Sequence, residues 1–333
     1  MAAICFGPLG DTLFTTPAIR ALRFNLPQAY IVVLVNQLGL EVYRNNPHRI
    51  EIIGCLDQWD LLKKTVEIRK CGFDLVLGLS QIGSFFTRFC GAPVRSDFFT
   101  IAENKSNLSV VKLCLEVITE VGLAVNTYET EFWHGKQEER IVEHFLKKAA
   151  VDLGKPMVAI HCGGRYFIRK RWPLLKFSAL IKILLEETRY QVVLIGGKED
   201  REDSEAIASV LPGVINAAGG FSLGETAALL KRCQLLIAND SGPLHLGAAV
   251  GVPTIGLFGP TTPEQFFPYR PPRHRYIYKK LSCSPCYRFG GGLWQYLPRC
   301  SKAYCMEAIE VEEVLELILN GSVAGRNSLV EVT

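Results

Sequence analysis

The residues best suited to chemistry gather at a few turns that follow apolar runs. Asn239-Asp240-Ser241-Gly242-Pro243-Leu244-His245 follows Leu235–Ala238 and opens a helical stretch. A hydroxyl and backbone N–H groups at a helix start are ready donors for an anion. Asp240, Ser241 and Gly242 therefore form a candidate anion-binding turn. His245 falls about one helical turn after Asp240; it reads either as part of that site or as a structural histidine in an apolar stretch. A hydrolase triad of Ser241, His245 and Asp240 is excluded, because a GxSxG elbow is absent and three neighbours on one turn cannot take up that geometry.

Arg165, Arg169, Lys170 and Arg171 follow the run that ends at His161, with Gly163-Gly164 between. Cations just before a Pro-started helix suit a diphosphate; the alternative is a solvated basic loop, with Trp172-Pro173 as its anchor. Gly7-Pro8-Leu9-Gly10-Asp11 also follows an apolar run. Asp11 at this position can accept a proton from a hydroxyl nucleophile, or it can cap a helix. The glycines do not spell the dinucleotide fingerprint GxGxxG. In Gly196-Gly197-Lys198-Glu199-Asp200, either Glu199 or Asp200 can meet ribose hydroxyls, or simply complement a helix start.

These turns need strands and helices to hold them. Ala2–Phe6, Tyr30–Val35, Ile50–Ile53 and Leu75–Leu79 read as strands, and the continuous apolar run YIVVLV is that of a strand buried on both faces. A helix begins near Thr16-Pro17 and ends at Pro27. Leu108–Val121 and Glu138–Ala150 have helical spacing. The alternation restarts near Val151–Lys155. Met157–His161, Gln191–Ile195, Gln234–Ala238 and Thr254–Phe258 read as strands. Pro173–Thr188, Asp200–Leu211, Leu223–Cys233 and Ser241–Val250 read as helices. Val311–Leu319 is a last helix that can return to the first array. Two β/α arrays of about 150 residues suggest two doubly wound domains, with ligands beyond the carboxyl ends of the strands.

Composition narrows the function classes. Of 333 residues, 48% are hydrophobic and 21% charged, enough apolar material for a core in each half. Disorder and low-complexity architectures are excluded. The net charge of +4 is too small to argue for nucleic-acid binding. The opening MAAICFGPLGDTLF lacks a basic stretch, so no secretory leader is expected and a cytoplasmic setting is the default. The uncharged run Ser241–Pro263 is broken by five Gly and four Pro and does not read as a membrane span. Scattered Cys5, Cys55, Cys71, Cys90, Cys114, Cys162 and Cys233 read as free, mostly buried thiols.

Cys283, Cys286, Cys300 and Cys305 form a separate cluster. Two cysteine pairs suggest a structural tetrahedral site, for zinc or an iron–sulfur centre; disulfides and unligated thiols are the alternatives. Before them, Arg270, Arg273, Arg275, Lys279 and Lys280 interleave with Tyr276 and Tyr278. This pattern suits an anionic lipid surface or a phosphorylated acceptor, or else a solvated loop.

Taken in order, Gly7–Asp11 with Thr15-Thr16-Pro17-Ala18 and Arg20-Ala21-Leu22-Arg23, then Lys170-Arg171-Trp172-Pro173, Asp240–His245, Gly251-Val252-Pro253 and Gly259-Pro260-Thr261, resemble the motifs of glycosyltransferase family 9 over nearly the whole chain. These are the bacterial lipopolysaccharide heptosyltransferases. The resemblance implies an α/β, GT-B fold: two doubly wound Rossmann-like domains facing a cleft. Residues 1–153 would form the acceptor-side domain and 154–320 the donor domain, with the Cys cluster at 283–305. Residues 321–333 would be a flexible tail. It implies inverting, metal-independent transfer of heptose from ADP-heptose to the lipopolysaccharide inner core or lipid A acceptor, with no cofactor required and peripheral contact with the inner membrane.

By motif match, Asp11 is the candidate base and Lys170 the lysine on the donor diphosphate, with Arg165, Ser241 and Gly242 beside it. Asp240 and His245 match the donor-site loop. Glu199 or Asp200 approximates the ribose acid, where the match slips by a residue. The sequence departs from the family at Cys5, where an arginine is usual. The physics is compatible: sugar transfer passes through an oxocarbenium-like state with a departing diphosphate, and fixed cations and helix-start amides can stabilise that charge. The rival readings are another nucleotide-sugar transferase of this family, a GT-B nucleotide-sugar epimerase, and a non-catalytic nucleotide-sugar or metal-binding module. The intact set Asp11, Lys170, Asp240 and His245 argues against the last.

Overall fold

Strands that are apolar at every position must be covered on both faces, and the two sheets obey this. A computed structural model describes residues 1–164, 169–290, 293–296, 300 and 302–322. Arg165 lies outside the described residues, as do positions 323–333 of the expected tail. The chain forms two compact units. The first comprises Met1–Trp133 with Glu264–Pro268 and Arg288–Gln295, and the second holds the other described residues from His134 onward.

The first unit carries a five-stranded sheet. Its strands are β1 (Ala2–Cys5), β2 (Val32–Val35), β3 (Glu51–Gly54), β4 (Leu75–Gly78) and β5 (Val94–Asp97), in the order β3-β2-β1-β4-β5. All pairs are parallel; Ala2 faces Val32 on one side and Val76 on the other. The central strands β1 and β2 are buried throughout, whereas the edge strands β3 and β5 carry the polar residues. Helices Gln58–Arg69 and Gln81–Thr87 cover one face, packing Leu61, Ile68 and Phe86 on Ile4, Leu34 and Val76.

The sequence reading places one helix after the Gly7 turn, beginning near Thr16. The structure has two, Leu9–Phe14 and Thr16–Asn25. Pro17 has no N–H to donate back to Leu13, so one helix cannot run through. Thr15 and Thr16 instead donate to the carbonyls of Thr12 (2.7 Å) and Leu13 (2.8 Å).

The second unit carries six parallel strands. They are β6 (Met157–His161), β7 (Gln191–Leu194), β8 (Ile215–Asn216), β9 (Leu235–Asn239), β10 (Thr254–Phe258) and β11 (His274–Tyr278), in the order β11-β10-β9-β6-β7-β8. Both orders are doubly wound, with β1 and β4, and β6 and β9, at the points where strand order reverses. Helix Leu174–Glu187 packs Phe177, Leu180 and Leu184 onto Ile160, Ile237 and Leu257. Helix Lys136–Lys148 packs on Leu223–Leu230, with Phe145 edge-on to Phe221 at 5.0 Å. Among the described residues no helix is long and apolar enough to cross a membrane.

The last helix, Val311–Ser322, does not return to the first array. Its stripe of Val311, Val314 and Ile318 joins the core of the second unit, against Leu174–Glu187 and β11. Gly321 and Ser322, counted with the tail on sequence, continue this helix. Ile318 is fully enclosed there. Ile318→Ala is therefore expected to lower stability by about 2–5 kcal/mol, measured as a shift in the urea unfolding midpoint.

Candidate functional site

The second unit's site is built around one buried carboxylate. Asp240, 4% exposed, follows β9. Its Oδ2 accepts from Lys170 Nζ at 2.8 Å and from Thr261 Oγ1 at 2.6 Å, and its Oδ1 lies 3.4 Å from His245 Nε2. Burial alone would raise this carboxyl, but Lys170 and the His245 contact hold it well below the ordinary carboxylate range. Asp240 thus stays ionised and fixes three segments at once: the basic loop, the first turn of helix Gly242–Ala249, and the turn after β10. His245 Nδ1 continues the chain to Tyr269 Oη at 3.1 Å. Lys170 also stands over the Tyr287 ring, 5.2 Å from its centre.

Asn239, the last residue of β9, closes the basic loop at both ends. Its Oδ1 accepts from the Trp172 amide at 2.9 Å, and its Nδ2 donates to the Gly163 carbonyl at 2.9 Å. Trp172 is the anchor expected from sequence: it is buried, edge-on to Phe177 at 4.8 Å, and its Nε1 donates to the Ile309 carbonyl. The neighbouring cations are already engaged. Arg171 pairs with Asp203, and Arg169 donates to the Cys300 carbonyl. The alternative of a freely solvated loop therefore fails for Arg169, Lys170 and Arg171.

Glu199 and Asp200, which sequence alone leaves equivalent, are separated by the fold. Asp200 is buried and accepts from the Gly164 and Gly197 amides at 3.2 and 3.0 Å and contacts His161 Nε2 at 3.1 Å. A Cβ on Gly163 would lie 1.7 Å from its carboxylate, so only glycine fits there. Asp200 is a brace between two turns, and Glu199 is the exposed acid of the pair. Ser241 caps helix Gly242–Ala249 without bonding its own helix. Its hydroxyl lies 3.2 Å from His161 Nδ1 and 3.0 Å from the Asn239 carbonyl. Sequence alone gives neither His161 nor Asn239 a role: His161 reads as a strand end and Asn239 as the first residue of the Asp240 turn, and their only signal is adjacency to Gly163-Gly164 and to Asp240.

In the first unit, the Gly7 turn is held from three sides. Asn36 Nδ2 donates to the Gly7 carbonyl at 2.7 Å, Thr12 Oγ1 to that of Pro8 at 3.1 Å, and Ser80 Oγ to that of Phe6 at 2.9 Å. Asp11 sits half-buried in the first turn of Leu9–Phe14, and Pro8, not Asp11, occupies the cap position. Cys5 is fully buried near Tyr43, and burial pushes its thiol up to about 12, so it presents no charge to a ligand. Arg20 and Arg23 serve the framework. Arg20 pairs with Glu131 at 2.6 Å, and Arg23 reaches the carbonyls of Leu26, Pro27, Ala29, His48 and Arg49.

The four C-terminal cysteines are neighbours. Burial, with Cys300 and Cys283 close by, raises the Cys286 thiol, and Cys305 is pushed up to about 11 by burial and by Cys286. None is in a disulfide. Among the described residues, no group of three or more His, Cys, Asp or Glu side chains is arranged to hold a metal ion, these four included. The zinc or iron–sulfur reading thus finds no matching arrangement. The basic stretch is a loop only in part: Arg275, Tyr276 and Tyr278 lie in β11, paired along β10, and Lys279 pairs with Glu313, whereas Arg270, Arg273 and Lys280 flank the strand and are exposed.

The sequence profile of glycosyltransferase family 9 (heptosyltransferase) matches residues 67–291. The chain belongs to that family. It is 33% identical to lipopolysaccharide heptosyltransferase 2 of Escherichia coli K12 over 294 residues, covering 79% of this chain and 84% of that one. It is 29% identical to lipopolysaccharide heptosyltransferase 3 of Escherichia coli, covering 76% and 81%. Among solved structures it resembles a family 9 glycosyltransferase from Veillonella parvula, with a TM-score of 0.82 at 21% identity over 97% of each chain. It also resembles the E. coli ADP-heptose heptosyltransferase II, with a TM-score of 0.74 at 21% identity over 97% and 99%. The two parallel sheets are thus those of a GT-B, heptosyltransferase-like fold, and this family 9 member is a glycosyltransferase.

Because Asp240 is ionised and enclosed, Asp240→Asn leaves Lys170 without its counter-charge. A stability loss of about 3–5 kcal/mol at neutral pH is expected. A carboxyl held below its ordinary 3.8 contributes stability above that pH and loses it as pH falls further. The gap between wild type and variant, read by denaturant unfolding, should therefore narrow below pH 3.8.

Proposed function

We propose that this family 9 glycosyltransferase transfers heptose from an ADP-heptose to the inner core of lipopolysaccharide, with inversion, at the cytoplasmic face of the inner membrane. The observation that carries this reading is the Lys170–Asp240–His245 cluster beside the Ser241–Gly242 helix start. It offers a fixed cation, a hydroxyl and a helix end to one anion. The names of the heptosyltransferase relatives supply the sugar and the acceptor.

In this proposal residues 154–320 bind the donor. Lys170, Ser241 and the Gly242 end of the helix meet the diphosphate, with Arg165 assigned there by motif alone. Glu199, the exposed acid, meets the ribose, while Asp200 supports the turn beneath it. Asp240 and His245 hold Lys170 in place. As the glycosidic bond to the diphosphate breaks, negative charge grows on the ADP oxygens. A cation held in advance stabilises that charge without reorganisation at the moment of reaction. This charge complement supports transfer without a metal. Residues 1–153 supply Asp11, which takes the proton from the acceptor hydroxyl as that oxygen attacks the anomeric carbon from the side opposite ADP. The four cysteines have no part in these steps.

Asp11→Ala is expected to abolish transfer while ADP binding stays within about twofold of wild type; normal transfer would remove Asp11 as the base. Lys170→Ala should weaken ADP binding at least about tenfold, the value of one charge-assisted contact, and a chelator should leave the wild-type rate unchanged. A screen of ADP-, GDP- and UDP-sugars with core acceptors checks the substrate. Donor turnover without any acceptor would favour an epimerase.

A further inference from the structure

His161 is enclosed at 2% exposure and has no task in the transfer described above. It bridges two groups that do. Its Nε2 lies 3.1 Å from Asp200 Oδ2, and its Nδ1 lies 3.2 Å from Ser241 Oγ. Asp200 also accepts from the Gly164 and Gly197 amides. Despite burial, His161 and those amides hold its carboxyl below the ordinary range, so it is an anion. An anion facing Nε2 requires a proton on Nε2. The only variable on this imidazole is therefore whether Nδ1 also carries one.

That variable decides where the Ser241 hydrogen points. The hydroxyl has one hydrogen and two acceptors within reach, Nδ1 and the Asn239 carbonyl at 3.0 Å. With a neutral imidazole, Nδ1 is a bare acceptor that draws the hydrogen to itself. The hydroxyl then shows a phosphate only lone pairs, and turning it away strands a buried acceptor. With a proton on Nδ1 the direction reverses. Nδ1–H donates to Oγ, the hydroxyl hydrogen is released toward a ligand, and a positive charge is added next to the anion site.

We propose that His161 is a proton-linked positioning residue: it takes up a proton at Nδ1 from solvent when the donor diphosphate binds at Ser241, and gives it back when ADP leaves. This rests on the diphosphate lying at Ser241, as proposed above. Among the described residues the other ionisable groups near this chain are accounted for. The Cys162 thiol, pushed up to about 11 by burial, stays neutral. Asp203 is paired with Arg171. Beyond Ser241 stands the Lys170–Asp240–His245 cluster, whose His245 is retained in every variant below.

The test is ADP binding to the full chain by titration calorimetry, in two buffers of different ionisation heat and at several pH values. Wild type should take up close to one proton more than His161→Gln. Its affinity should then fall more steeply with rising pH, by up to about tenfold per pH unit. ADP's own protonation is common to both proteins and cancels. Ser241→Ala, a small change that is independent of how His161→Gln folds, should remove the same extra uptake. Equal proton uptake by wild type and by either variant overturns the proposal while leaving the ADP site standing. Failure of wild type to bind ADP at any pH overturns the donor-site reading and this inference with it.

Discussion

A carboxylate removed from water is tolerable only when its charge is answered at close range, and Asp240 imposes that condition on the whole donor side. Its three partners come from three different segments: Lys170 before the helix Leu174–Glu187, His245 within Gly242–Ala249, and Thr261 after β10. Each of these must arrive at one point or leave a buried charge unmatched. The requirement converts sheet order into site geometry, because β9 sits beside both β6 and β10 and brings their following turns together.

The neighbouring residue completes the constraint by a different means. Asn239 has a donor and an acceptor on one planar amide, and it uses both on backbone, at Trp172 and Gly163. Charge fixes the tip of the basic loop and the amide fixes its two ends. Around the Gly7 turn the same task falls to neutral hydroxyls and amides of Thr12, Asn36 and Ser80.

The sheets are legible because strands covered on both faces are written as apolar runs, as in VVLV of β2 and LLIA, the first four residues of β9. Where helices mix aromatics, glycines and polar residues, as in QIGSFFT of Gln81–Thr87, the spacing gave no clear signal and the element went unread. An amphipathic stripe such as Val311, Val314 and Ile318 announces a buried face but not the surface that buries it, which is why the sequence reading sends the last helix to the first array and the structure packs it on the second. At the site, Lys170 and Asp240 could be found as residue types at strand ends. That they pair with one another could not, since 70 positions separate them. Glu199 and Asp200 show the limit most sharply: adjacent acids differ only in which way each points, and the closeness of Gly163 decides it. Arg20 and Arg23 appear in the sequence only as part of a family motif, and the fold shows that their directions are set by carbonyls and by Glu131.

The Ile309 carbonyl accepts from both Trp172 Nε1 and Lys176 Nζ, at 2.9 and 2.8 Å. A main-chain oxygen is present whatever side chain the residue carries. This tether is therefore blind to the identity of position 309 and sensitive only to the path of the backbone. Sequence drift by substitution can pass through this stretch without reaching the basic loop by this route. An inserted or deleted residue between the cysteines and the last helix shifts the oxygen itself, and that is the kind of genetic change the loop registers.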